Sequence, residues 1–100
     1  MTYYMAQLNE RNGEYEYQHT ILLSTEWDAH TALTDIAMNW YESAEDYLEH
    51  NGEPLHTPDN VVEGNFYFNG DEVCVSVGNW EELPKAVFDN LPRFLTVFNR

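Results

Sequence analysis

The dipeptide Asn12-Gly13 lies between two alternating runs, TYYMAQLNER ending just before it and EYEYQHTILL just after it. A two-residue type I′ turn needs positive φ at both central positions, and Asn-Gly meets that demand at the least steric cost. Strands joined this closely have to pair antiparallel. With Asn12-Gly13 at the tip, Glu10 faces Tyr15, Leu8 faces Tyr17, Ala6 faces His19 and Tyr4 faces Ile21. Side chains alternate across a strand, so this register gathers Tyr4, Leu8, Tyr15, Tyr17 and Ile21 on one face. Glu14, Glu16, Gln18 and Thr20 go to the other, with Gln7 and Asn9 across from them.

A second Asn-Gly pair, Asn69-Gly70, sits between the alternating runs Val61–Phe68 and Asp71–Val77. There Val73, Val75 and Val77 share a side with Phe66 and Val62. Between the hairpins, Ala29, Ala32, Leu33, Ile36, Ala37, Trp40, Ala44 and Leu48 recur at helical spacing. Ser24 or Thr25 caps the start of this helix, and Asn51-Gly52 stops it. Residues 53–60 form a loop with two prolines. After Gly78-Asn79-Trp80, Pro84 opens a short helix that runs to Asn90. Pro92 interrupts the last ten residues, 91–100, which fit strand or helix. The expected fold is α+β in the order ββαββα: a four-stranded, mainly antiparallel sheet, one long helix packed on one face, and a short C-terminal helix. Residues 1–100 make one domain, with no linker and no repeated unit.

Charge limits what such a domain can bind. Eighteen Asp and Glu stand against four Lys and Arg, for a net charge of −14. No Lys or Arg occurs between Asn12 and Pro84, a window that holds sixteen of the eighteen acids. A field of this sign speeds encounter with basic partners and repels phosphate. Direct nucleic-acid binding draws its affinity from Lys and Arg, so it is excluded as the expected activity. No run is long enough to span a membrane, no basic-then-apolar leader opens the chain, and a single cysteine, Cys74, suits a reducing compartment. These features read as a soluble protein of the host-cell cytoplasm, monomeric or homodimeric.

The sequence offers little for catalysis. It has no phosphate loop, dinucleotide fingerprint, HExxH or nucleophile elbow. His19, His30, His50 and His56 lie at unrelated spacings, so neither a metal site nor a cofactor is expected, and His19 reads as a hydrogen-bonded histidine of the inner face. Cys74 has no basic neighbour in sequence and reads as an inert thiol.

Residues 26–50, EWDAHTALTDIAMNWYESAEDYLEH, carry seven carboxylates and no cation. Asp28, Asp35, Glu42 and Glu49 recur every seven residues, which on one continuous helix places them on nearly one line, flanked by Glu45 and Asp46. Acids in the last turns oppose the helix dipole, and Glu42–Asp46 and Glu45–Glu49 are repulsive i,i+4 pairs. Such a ridge reads as a surface for a basic partner, with Tyr41 and Tyr47 either as aromatic anchors beside it or as partly buried core residues. A solvated face on an acidic protein is the plainer reading. The outer sheet face, with Glu14, Glu16, Glu63 and Glu72 around Tyr67, is a secondary partner-binding candidate, for which an ordinary solvated antiparallel face is the preferred reading.

The size, the charge, the basic-free middle and the stretch EWDAHTALTD…YESAEDYLE resemble small acidic phage and mobile-element inhibitors of host defence, of the DNA-mimicking anti-CRISPR and anti-restriction kind. The resemblance implies a non-enzymatic inhibitor whose carboxylates stand where phosphates would, on the basic nucleic-acid-binding surface of a defence complex. Two other readings use the same charge: an immunity protein or antitoxin that neutralises a cationic nuclease, and a small acidic phage structural or accessory protein.

Overall fold

The computed structural model describes residues 1–43, 49–50, 53–54, 58–68 and 72–100. Its centre is the first hairpin, β1 (Thr2–Asn12) and β2 (Tyr15–Thr25). Asn12 pairs with Tyr15, Leu8 with His19, Ala6 with Ile21 and Tyr4 with Leu23, two residues out of step with the register expected from Asn12-Gly13. The tip is Gly13-Glu14. Of these two residues only Gly13 has positive φ, at 60°, which fits a glycine-first type II′ turn. A slip of two leaves side-chain parity unchanged, so the expected faces survive the shift. The tip is also tied down from outside the hairpin, since the Gly13 N–H donates to the Glu72 carbonyl at 2.9 Å.

Along its other edge, β1 pairs with β7 (Val73–Leu83), an eleven-residue strand that continues through the segment expected to leave the sheet at Gly78-Asn79-Trp80. The pairing is interrupted once, where Gly78 and Asn79 oppose Gln7 in a bulge. A Cβ on Gly78 would lie 2.9 Å from the Gln7 carbonyl oxygen, so the close approach needs glycine. The extra residue inverts the alternation. Before the bulge Val73 and Val75 point into the core, and beyond it Trp80 shares the face of Ala6.

The run expected to form one strand over Val61–Phe68 folds back on itself as β5 (Asn60–Val62) and β6 (Asn65–Phe68). Glu63 and Gly64, at φ 51° and 81°, form the two-residue turn between them. Positive φ at both positions is the type I′ requirement, met here by a glutamate in place of asparagine. The Asn69-Gly70 pair lies outside the described residues.

The long helix of the sequence reading is corrected most. Helix α1 spans only Ala29–Met38, and Asp28 caps it, its carboxylate accepting from the Thr31 N–H at 3.0 Å. Ser24 and Thr25, the expected caps, close β2 instead. At the far end the Asn39 side-chain amide donates to the Asp35 carbonyl at 2.9 Å. A short amide side chain that engages the backbone in this way competes with helix continuation. A four-residue turn, α2 (Trp40–Ser43), follows, then β3 (Glu49–His50) paired antiparallel with β4 (Glu53–Pro54). Helix α1 itself holds one carboxylate, Asp35, and ends before Glu42.

After β7, Pro84 precedes α3 (Lys85–Phe88), close to where the sequence placed a short helix. The chain then crosses the sheet and returns as β8 (Val97–Asn99), parallel to β2, which settles residues 91–100 as turn and strand. The sheet therefore has six strands in the order β5-β6-β7-β1-β2-β8, mixed in direction, where four antiparallel strands were expected. The α+β class stands.

The main core lies between this sheet and α1: Ala32, Leu33, Ile36 and Ala37 pack on Ala6, Leu8, Ile21, Leu23, Phe66, Phe68, Val73 and Val75. Phe88 of α3 packs against Tyr3 in a tilted pair with ring centroids 4.8 Å apart, and the fully buried Leu22 points to the same side. The C-terminal crossover thus covers part of the face that the sequence reading left open.

Candidate functional site

The inner end of β1 carries a polar group on an otherwise apolar stripe. Glu10 follows Tyr4, Ala6 and Leu8 in parity, and two donors meet its carboxylate: His19 Nε2 at 2.7 Å and the Tyr41 hydroxyl. Tyr41 is 2% exposed and meets Phe68 edge-on at 4.9 Å. Burial pushes its phenol well above the ordinary tyrosine range, and the hydrogen bond and negative charge of Glu10 add to the effect. Trp40 lies over His19, with ring centroids 4.8 Å apart, and next to Phe98 at 6.1 Å. This network ties the hairpin to α2. A carboxylate at a core parity was the sequence signal for it, since such a group needs donors. Tyr41, expected either as a surface anchor or as a partly buried residue, is a core residue.

The expected ridge does not form as a helical line. Asp28 is a cap, held below the usual carboxylate range by the Thr31 hydroxyl and backbone N–H. Asp35 accepts from Arg100 Nε at 2.8 Å, an ion pair that joins α1 to the C-terminal strand. Glu42 falls in α2 and Glu49 in β3, so the seven-residue spacing no longer maps onto one helix. The side chains of Glu42 and Glu49, together with Glu45, Asp46 and Tyr47, lie outside the described residues.

The secondary set fares differently. Glu14, Glu16, Glu63 and Glu72 are all exposed. Glu14 sits at the tip of the first hairpin, next to Glu72 through the Gly13–Glu72 backbone bond, and Glu16 follows on β2. Glu63 stands apart, in the turn at the opposite end of β6 from Glu72. Three of the four are therefore gathered at one end of the sheet.

Beside them, the face turned away from α1 holds a shallow depression of about 450 Å³, lined by Asn9, Arg11, Glu16, Gln18, Cys74 and Ser76 among others. Burial pushes the Cys74 thiol up, opposed by the Arg11 charge and a hydrogen bond with Tyr67, so the sulfur is a poor nucleophile. Among the described residues no group of three or more His, Cys, Asp or Glu could hold a metal ion. No described helix is long and apolar enough to cross a membrane.

The remaining cations are engaged near acids or rings. Lys85 Nζ lies 2.8 Å from Asp89, and the Arg93 guanidinium sits 5.0 Å from the Phe94 ring centroid. Large apolar side chains are exposed beside the acidic tip: Tyr15 is 69% exposed and Tyr17 50%. The sequence reading gave both to the inner face. The parity is right, but α1 and α2 do not extend over them.

No protein-family model, no curated protein and no solved structure matches the chain.

Proposed function

We propose that this chain is a non-enzymatic acidic inhibitor that occupies the basic nucleic-acid-binding surface of a host-defence complex, an anti-CRISPR of the DNA-mimic type. One observation carries the reading: a net charge of −14 in which three of the four Lys and Arg are engaged away from the acidic tip, two in ion pairs and one over an aromatic ring. The outward field is left to the carboxylates, of which Glu14, Glu16 and Glu72 converge on one end of the sheet. Glu14 in the turn, Glu16 on β2 and Glu72 just ahead of β7 present discrete negative charges to a groove lined with Lys and Arg. The aromatic side chains beside them supply area that charge alone lacks.

A displacement assay tests this. A CRISPR effector complex is loaded with labelled duplex DNA, and the protein is titrated in at low and at high salt. Release of DNA at low salt, weakened as salt screens the exposed charges, is the expected result. Replacing Glu14, Glu16 and Glu72 together with Lys should abolish release. Undiminished release by that triple variant would sink the proposal.

A further inference from the structure

Strand β8 covers only part of the outer edge of β2. It pairs with Leu22, Leu23 and Ser24. The Leu22 N–H donates to the Thr96 carbonyl, and the Ser24 carbonyl accepts from the Arg100 N–H, both at 2.9 Å. Even-numbered residues of β2 therefore aim their backbone groups away from β1. By the same alternation Glu16, Gln18 and Thr20 aim their N–H and C=O groups outward. No described strand pairs with them along residues 15–21.

An unpaired strand edge is a template for another strand, and proteins usually blunt it with charge, proline or a covering element. On this edge the formal charges of β2 and its tip are negative, Glu16 on the outer face and Glu14 at the tip, while Arg11 of β1 stands directly across from Glu16. The inner face of the same edge carries Tyr15 and Tyr17, both largely exposed, and then His19 at 6.3 Å from the Tyr17 ring. A second copy of the chain would bring the same carboxylates and another −14 of charge, so self-pairing is opposed. A basic strand meets no such opposition.

We infer that the open edge of β2 at residues 15–21 takes up an extended Lys- or Arg-bearing segment of the partner protein as an added strand. Its main chain bonds to Glu16, Gln18 and Thr20. Its outer side chains meet Glu14 and Glu16, and its inner ones lie over Tyr15 and Tyr17, where a guanidinium gains from the ring faces. The inference rests on the proposed reading of a basic partner and specifies how that partner is held.

The test uses a ten-residue peptide of alternating Arg and Val, and the same peptide N-methylated at alternate backbone positions, read by amide hydrogen exchange on the intact protein. The unmodified peptide should slow exchange at Glu16, Gln18 and Thr20 at least tenfold, and the methylated one should not. Gln18→Pro removes one outward N–H that bonds nothing in the sheet and keeps every charge, so it should weaken the peptide at least tenfold. Equal binding of both peptides, or protection elsewhere on the surface, overturns the strand-addition mode and leaves a charge-driven basic partner standing. Protection of these amides without peptide, together with a dimer mass by light scattering, overturns the choice of occupant. If the peptide binds as inferred but DNA displacement fails, the inhibitor reading falls and the edge remains.

Discussion

Glu10 stands at a parity that belongs to the core, and its carboxylate stays there because His19 and Tyr41 both reach it. Removing one partner from a buried polar pair leaves the other unsatisfied, at a cost of about 1–3 kcal/mol. Glu10→Ala should therefore lower stability in urea by about that amount. Tyr41 gives a pH signature of the same network. Its folded-state pKa is raised, so the neutral phenol is the form that the fold prefers. Stability from this residue is fully present below the unfolded tyrosine pKa of about 10 and is withdrawn as pH rises past it. Absorbance titration should show a tyrosine that stays silent until alkaline unfolding. That silent residue should disappear in Tyr41→Phe. At Glu63 the backbone sits in the left-handed region without being glycine. Asparagine visits that region more readily, and Glu63→Asn should raise stability by about 0.5–1 kcal/mol in urea unfolding.

Among the elements, β7 depends most on one residue. Its first half buries Val73 and Val75 and its second half returns Trp80 to the inner face, where it meets His30 at 5.9 Å. The change of phase is made at Gly78, against the Gln7 carbonyl. Gly78→Ala forces either strand to move and should cost about 1–3 kcal/mol, with the amide signals of Gln7 and Asn79 shifting most. Helix α1 shows the opposite economy, since both its ends are closed by its own short polar side chains, Asp28 and Asn39. A continued periodicity at Trp40, Ala44 and Leu48 invited a longer helix from the sequence. Trp40 instead turns onto His19 and Phe98, contacts that no local pattern announces.

At the scale of the molecule, a pI near 4.2 sets the conditions under which the surface keeps the protein dispersed. Solubility should fall to a minimum close to that pH as self-repulsion vanishes, which turbidity from neutral to acid pH will read. Alternation along β1 and β2, the inward set of α1, the short helix after Pro84 and the uneven charge could all be read from the chain. They depend on neighbours one to four residues apart, and a two-residue error in register leaves them intact. The hairpin tip, the second half of β7 and the parallel pairing of β8 were decided by partners far off in sequence: Glu72 at Gly13, Gln7 at Gly78, Thr96 at Leu22. So the sequence by itself determined which side of β1 and β2 is apolar and what sign of surface the protein presents. Only the tertiary structure decided which carboxylates meet and which stretch of edge no described strand pairs. Both are set by long-range backbone pairing, whose choice among registers of equal parity leaves no mark on the local pattern.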